Sequence, residues 1–536
     1  MNCAVLEQDG MLLIIDCGMT FPDEETLGVE LVMPDLDWLV ENETRIAGLV
    51  ITHGHFDHIG AVPYLLEQID LPIYAPPLAA EMIRATLQER DLDDGVVIRK
   101  FEAGSRFKVG PFEIEAIHVN HSIPQTCALA IRTTSGLFVH TADFKLDANP
   151  LNEPPADLKR LRELGNEGVQ VLFSDSTNVE RSGSSGSERE AREGLREAIT
   201  GANQAVFVAL FSTNLFRVQS LCDIAAETGR VVVLLGRSME KLVGIARELG
   251  LLRLPHEGII ASIESARDLP RHQLLLLCSG SQGESRATMN KLATGEMRSF
   301  EVTPNDLVIF SSRVIPGNEK GVSRIRNMLA RRGARFLEDE RSVHVSGHAY
   351  RDEQQLMIEC LRPKIFVPVH GEHRFLKRHA ELARTLGVKE AHVLDNGDVL
   401  EIAPKGAKVI GRRHAVGIAI DGTALGPVDG QAMRERRRLA RRGVMTIFVA
   451  VDLRRGELLD GPHLSAMGVA EEVEEIIKIA EEAAATAFGK LDRESRRSQP
   501  AIAEGIRRAV MGAIRREIER KPLIEVMVYD AGRIVR

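Results

Sequence analysis

The segment His53-Gly54-His55-Phe56-Asp57-His58 puts four potential metal ligands into six residues. It follows an apolar run over 46–52 and precedes a helical pattern that begins near Ile59, so it reads as a loop between a buried strand and a helix. Such a loop can aim His53 and His55 at one ion and Asp57 and His58 at a second, with Gly54 letting the backbone turn tightly. Two ions need further ligands, and His121 in VNHSIP, Asp143 in HTADFK and His370 in PVHGE follow at the ends of predicted strands. Asp143 is placed to bridge the ions. Imidazole and carboxylate without thiolate suit zinc or manganese, with a coordination position left for water. Two ions roughly 3.5–4 Å apart lower the pKa of that water toward about 7 and hold both oxygens of an in-line phosphoryl displacement. A phosphodiester is therefore a natural substrate.

The elements that must position these residues form an α/β pattern. Short β-branched runs at 11–16, 46–52, 97–101, 112–119 and 137–141 alternate with amphipathic stretches up to about Ser174. A polar segment, SGSSGS at 182–187, reads as flexible. Runs at 205–211, 231–235, 273–278 and 307–311 then alternate with helical patterns, making a second α/β unit that ends near Glu340. The strand 365–369 leads into His370 and returns the chain to the first unit, so the middle unit is an insertion. Beyond a glycine-rich stretch, the run MRERRRLARR at 433–442 reads as a solvated helix face. The last segment reads as strand (444–452), acidic helix (470–487), basic helix (500–521, with Arg507, Arg508, Arg515 and Arg516 off its apolar face) and strand (523–529).

At roughly 150 residues per domain, 536 residues make about three or four domains. A net charge of −9 argues against nonspecific nucleic-acid binding through bulk charge but leaves room for a local basic groove. One Trp and four Tyr make a base-stacking platform hard to build, so affinity for a single strand would rest on phosphate contacts. No apolar run reaches the roughly 20 residues of a membrane span. Six scattered cysteines without a CxxC pair point to a reducing cytosol and to no cysteine zinc site.

HGHFDH with His121, Asp143 and His370 resembles the metallo-β-lactamase superfamily. The stretches IDCGMTFP, VNHSIP, HTADFKLD, SDSTN, GRSM, SGSQGE, IPGNEK, HVSGHAYRDE and PVHGE, in nearly the same order and spacing, narrow the resemblance to bacterial ribonuclease J of the β-CASP group. The resemblance implies that His53, His55 and His121 bind one zinc, that Asp57, His58 and His370 bind the other, and that Asp143 bridges them. It makes Asp57, Asp175 of SDSTN and His348 of HVSGH catalytic, His348 at the scissile phosphate. Asp16 would orient the HGHFDH loop. Ser212, Thr213 and Asn214, together with His344, Val345, Ser346, Gly347 and His348, match phosphate-binding loops. His344 is equally readable as a strand-end core histidine, and His118 as structural. A structural calcium near 27–29 is implied by the family, although those side chains offer nothing for it.

The sequence departs from the family at its start. The family opens with a glycine-rich strand reading much like GLGEIGKN whose end matches Asn2, so either the start is assigned late or the sheet lacks one edge strand. Phe56 replaces a common Glu, and Ser285 a common Pro.

The expected architecture is α/β: a metallo-β-lactamase αββα sandwich (1–180 and 343–432), an inserted β-CASP α/β domain (181–342) and a small C-terminal α/β domain (433–536). The resemblance implies RNA phosphodiester hydrolysis by a two-zinc-activated hydroxide, with 5'-to-3' exonuclease and endonuclease activity in rRNA processing and mRNA decay. It implies a cytoplasmic protein acting on single-stranded RNA with a 5'-monophosphate, as a homodimer or homotetramer, within an RNA-degradation complex. The ligand motif alone also admits a hydrolase of small esters, and an inactive RNA-binding subunit is the reading outside enzymes.

Overall fold

The computed structural model describes residues 1–23, 26–315, 317–337, 340–515, 517–518 and 521–533. Pro316 of IPGNEK, Arg516 of the basic helix and the last three residues lie outside them. The chain divides into two compact units, one of Met1–Phe21 and Met33–Gly417, the other of Pro22–Val32 and Ile418–Arg536.

In the first unit, two sheets face each other. One runs Ala4–Gln8, Met11–Ile15, Ile46–Val50, Ile73–Ala75 and Ile98–Lys100, with the first strand antiparallel at the edge and the rest parallel. That edge strand was passed over in the sequence, although Asp9-Gly10 signals a two-residue hairpin and both residues take the positive φ such a turn requires. The other sheet has seven strands, from Glu390–Ala391 through Ile365–Val369, Val169–Asp175, Gly136–His140, Cys127–Thr133 and Phe112–His118 to Arg106–Val109. Period-2 alternation turns Leu13 and Ile15 of the first sheet inward against Phe112, Ile114, Leu129, Phe138 and Val171 of the second. The second sheet's other face packs on Leu161, Leu164, Met357, Ile358 and Ala383 of three helices.

Between Val169–Asp175 and Ile365–Val369 the chain makes a separate six-stranded, all-parallel sheet. Apart from the edge strand Arg335–Phe336, its strands are apolar throughout because both faces are covered. Val206 and Val208 point into one cluster, Ala205, Phe207 and Ala209 into the other. The 182–187 segment, read from sequence as flexible, is instead tied down. The buried Glu353 carboxylate accepts from Ser185 N (2.7 Å), Ser185 Oγ (2.9 Å), Leu146 N (2.9 Å) and Tyr350 N (2.8 Å). A carboxylate 168 residues away gives no local signal, which is why composition misleads here.

In the second unit, Val444–Asp452 is flanked by antiparallel Glu457–Met467 and parallel Leu523–Asp530, and helices Glu474–Lys490 and Gln499–Ile514 cover one face. The long strand Glu457–Met467 was missed, since its burial is irregular and it carries Gly461-Pro462. Val29 and Val32 join this unit by packing on Ala419 of the strand Ile418–Asp421 and on Met433 of the helix Gln431–Arg442. Among the described residues, no helix is long and apolar enough to cross a membrane.

Candidate metal centre

The parallel strands of both facing sheets end at one place, where open α/β sheets characteristically bind ligands. Met11–Ile15 delivers Asp16, Ile46–Val50 the HGHFDH loop, Gly136–His140 Asp143, Val169–Asp175 its own last residue, and Ile365–Val369 His370. Asp16, Ala142 and His370 all have positive φ (60°, 55° and 54°), a conformation that costs on the order of 1–3 kcal/mol at non-glycine residues and persists where surroundings enforce it. Gly18 makes the closest approach to the loop. A Cβ there would sit 1.6 Å from the Asp57 carbonyl oxygen.

Two donor sets converge. In each, one ligand atom per residue lies within 4.8 Å of all the others: His53, His55, His121 and Asp143 form one set, and Asp57, His58, Asp143 and His370 the second. Asp143 is common to both, and to a third such group with Asp175, His348 and His370. His55 Nδ1 is 3.2 Å from His53 Nε2 and 3.0 Å from His121 Nε2; Asp143 Oδ2 is 3.2 Å from His58 Nε2 and 3.4 Å from His370 Nε2. Ligands at 2.0–2.1 Å around a tetrahedral zinc lie about 3.3 Å apart, so these spacings suit such an ion.

The remote ring nitrogens of four of these histidines are occupied, which fixes which nitrogen faces inward. His53 Nδ1 donates to Thr52 Oγ1 (3.0 Å), His58 Nδ1 to Asp16 Oδ2 (2.7 Å), His121 Nδ1 to Gly347 O (2.6 Å) and His370 Nδ1 to Asn2 Oδ1 (3.0 Å). Asp16 also accepts from Thr52 N (2.8 Å) and Thr52 Oγ1 (2.9 Å). Burial and neighbouring imidazoles push His53 and His121 well below the usual histidine range, and burial brings His55 to about 4, so all three present lone pairs at neutral pH. Burial works against charge on His58 as well, but the carboxylates of Asp143, Asp57 and Asp16 lift it well above the usual value. A dication bound there would displace that proton. Burial opposes ionisation of Asp143, yet His370 and His58 hold it well below the ordinary carboxylate range. The donor set fits a divalent metal.

His348 stands beside this centre, half-buried, with Nδ1 donating to Asp175 Oδ2 at 2.8 Å and lying 4.0 Å from Asp143 Oδ2. Burial disfavours its charge, but the Asp175 carboxylate raises it to about 9. Asp175 Oδ1 is held by Thr177 N and Oγ1 (2.9 and 2.6 Å).

The loop residues divide. Ser346 Oγ accepts from Asn178 Nδ2 (3.0 Å) and His348 N (3.1 Å), Gly347 backs onto His121, and Val345 is buried. His344 Nδ1 is buried without a hydrogen-bond partner, and burial brings its pKa down to about 3. Ser212 and Thr213 line a cleft of about 770 Å³ whose walls also hold Phe56, Arg237, Arg286 and Lys291. Asn214 lies away from that cleft's lining. It is buried, its Oδ1 accepts from Arg217 N (3.0 Å) as a helix cap, and its Nδ2 donates to Glu188 Oε1 (3.3 Å). Sequence reasoning missed Asn2, whose Nδ2 donates to Asp57 Oδ2 (3.2 Å) and lies 2.9 Å from His58 Nε2. It also missed the cationic cleft side chains, although GRSM carries Arg237.

Family models match the chain in four stretches: the metallo-β-lactamase superfamily over residues 2–139, the ribonuclease J β-CASP domain over 203–329, the Zn-dependent metallo-hydrolase RNA specificity domain over 340–394 and the ribonuclease J C-terminal domain over 431–531. Ribonuclease J of Sinorhizobium meliloti is 38% identical over 96% of this chain and 92% of its own length. The chain belongs to the ribonuclease J family. Ribonuclease J 1 of Streptococcus pyogenes is 34% identical over 98% of this chain and 95% of its own length, and the Mycolicibacterium smegmatis ribonuclease J is 36% identical over 99% and 95%. A crystal structure of a protein of unknown function from Enterococcus faecalis shares the fold, with a TM-score of 0.50 at 15% identity over 76% of this chain and 96% of its own. The architecture described above is therefore the family's metallo-β-lactamase sandwich with its β-CASP insertion and C-terminal domain, and the chain is a metal-binding hydrolase of ribonuclease J type.

Proposed function

We propose that this chain is a metal-dependent ribonuclease that hydrolyses single-stranded RNA, both 5'-to-3' from monophosphorylated ends and internally, in RNA maturation and mRNA decay. The observation that carries this reading is the pair of donor sets sharing Asp143, with the Asp175–His348 pair beside them. Two zinc ions are the metals we assign, one to His53, His55, His121 and Asp143, the other to Asp57, His58, His370 and Asp143; manganese has the same ligand preferences. Bound there, they supply Lewis-acid chemistry at the attacking and leaving oxygens. His348, kept protonated by Asp175, directs a hydrogen bond at a phosphate oxygen. Ser212, Thr213 and the backbone of 344–347 grip flanking phosphates and set register without reading bases. Asn214 serves the same loop indirectly, by capping the helix behind it.

The reading places the catalytic domain at 1–180 and 343–432, the insertion at 181–342 and the C-terminal domain at 433–536. It places the protein in the cytoplasm as a homodimer or homotetramer that joins an RNA-degradation complex. A structural calcium near 27–29 stays an implication of the family resemblance alone; the Leu27 carbonyl there accepts from Arg436 Nη1 at 3.2 Å.

The test is incubation of the zinc- or manganese-loaded protein with 5'-monophosphorylated, 5'-triphosphorylated and 5'-hydroxyl single-stranded RNAs labelled at either end, beside Asp57→Ala and His55→Ala. Mononucleotides from the monophosphorylated RNA report exonuclease action, and internal fragments report endonuclease action. Both should vanish in the two variants. Equal cleavage by His55→Ala, or none by a metal-loaded wild type, overturns the reading.

A further inference from the structure

In HGHFDH the usual placement of polar and apolar groups is inverted. His53 and His58 are buried, whereas Phe56 between them keeps 43% of its surface exposed. Phe56 opens the short helix Phe56–Ile59, and successive helical residues point about 100° apart, so its ring diverges from the donor-set residue Asp57 beside it. Gly60, one turn on, leaves the ring its place: a Cβ there would stand 2.9 Å from Phe56 Cε2. Of the 18 phenylalanines, Phe21, Phe56, Phe211 and Phe448 are the exposed ones, and the first two meet beside this loop, their rings stacked with centroids 6.2 Å apart and planes at 28°. Single exposed apolar residues are ordinary, but a stacked pair keeps a flat apolar surface in water next to the metal centre.

Phe56 also lines the cleft of about 770 Å³, with Gly54 of the same loop, and Phe21 lies outside that lining. Arg237, Lys241, Arg286 and Lys291 line the same cleft against a single carboxylate, Glu89, which accepts from Lys241 Nζ at 2.7 Å. In a chain of net charge −9, this is a local basic groove. Cations alone would hold a polyanion by its phosphates. A flat aromatic face among them adds a surface for one kind of group such a polyanion carries, a nucleobase, and every base has a π-face to offer.

We propose that Phe56 is the base-stacking residue of the substrate site: one nucleobase of single-stranded RNA lies on the cleft side of its ring, with the flanking phosphates toward Arg237, Arg286 and Lys291. This contact rests on the ribonuclease reading and adds a base to the phosphate contacts given there. Stacking of this kind is indifferent to which base is present, so Phe56 raises affinity at one position along the strand without imposing a sequence. Phe21 backs the ring from outside the cleft lining. The family commonly carries Glu at position 56, which has no face for stacking, so the ring is a property of this chain.

The experiment measures KM and kcat of the metal-loaded full-length protein, Phe56→Leu and Phe56→Tyr on a 5'-monophosphorylated single-stranded RNA, then on the same RNA with one abasic residue walked along its length. Leu keeps apolar bulk without a π-face, so Phe56→Leu should raise KM on intact RNA by about 5- to 150-fold, with the loss falling on KM rather than kcat, and Phe56→Tyr should restore the wild-type KM. In the wild type an abasic residue at one position should raise KM by a similar factor. In Phe56→Leu an abasic residue there should add nothing further, since ring and base form a single contact. Any of three results overturns the proposal: a wild type indifferent to the abasic residue at every position, a Phe56→Leu variant with wild-type KM, or two penalties that multiply. So does a Phe56→Leu variant that changes only the oligomeric state in ultracentrifugation, because a second copy then covers the ring. Failure of the wild type to cleave intact RNA overturns the ribonuclease reading and this contact together, whereas the other outcomes leave that reading standing.

Discussion

At the scale of single residues, the centre depends on groups that never face a metal. The Asp16 carboxylate takes the Nδ1 proton of His58 and both donors of Thr52, and Thr52 in turn takes the proton of His53. Outer partners of this kind change metal affinity by about 10–100-fold when removed. Asp16→Asn should therefore bind zinc more weakly by that order, read by chelator competition, while its circular dichroism stays that of the wild type. Asn214 and Ser212 make an opposite pair. Asn214→Ala loses a helix cap and should cost about 1–2 kcal/mol in urea unfolding. Ser212→Ala, at the cleft wall, should leave stability within about 0.5 kcal/mol and act on RNA affinity instead.

At the scale of elements, connections are secured by buried carboxylates. Glu353 collects four donors from three separate stretches of chain. Glu353→Ala leaves buried Ser185 and the Leu146 amide unpaired at about 1–3 kcal/mol for each group. Its expected signature is a lower Tm together with new proteolysis within 182–187. Glu153 behaves differently, because burial raises its carboxyl to about 8 despite a hydrogen bond from Asn120 Nδ2 (2.9 Å). Folded protein then keeps a proton that the unfolded chain, titrating near 4.5, has released. Stability contributed by that proton is full below about pH 4.5 and falls as pH rises toward 8. Tm measured at fixed zinc should decline across that window, and Glu153→Gln, always neutral, should flatten the decline.

At the scale of the whole chain, zinc bound as proposed would be a ligand of the folded first unit, whose donor atoms come from positions as distant as His53 and His370. The unfolded chain cannot gather them. Zinc at 100 times its dissociation constant should then add about 2.7 kcal/mol. Calorimetry should show a transition that moves down with a chelator and returns with zinc. A chelator-insensitive Tm would mean that the donor sets do not hold metal in solution.

The residues that converge in the two donor sets were legible because a strand–loop–helix stretch compresses HGHFDH into six residues, and because His121, Asp143 and His370 each follow an apolar run long enough to read as a strand. The parallel inserted sheet was legible for a related reason: strands covered on both faces are apolar without interruption. Other features depend on partners far away in sequence and leave no local trace. Nothing in SGSSGS announces the Glu353 carboxylate, nothing in 22–32 announces its packing on Ala419 and Met433, and nothing at Asn2 announces His370. Chemistry of residue types and the period of local burial belong to the sequence by itself. Which buried polar group answers which, and whether Asn214 faces a cleft or caps a helix, were decided only when the chain closed on itself, since each is a contact whose energy exists only between elements already in place.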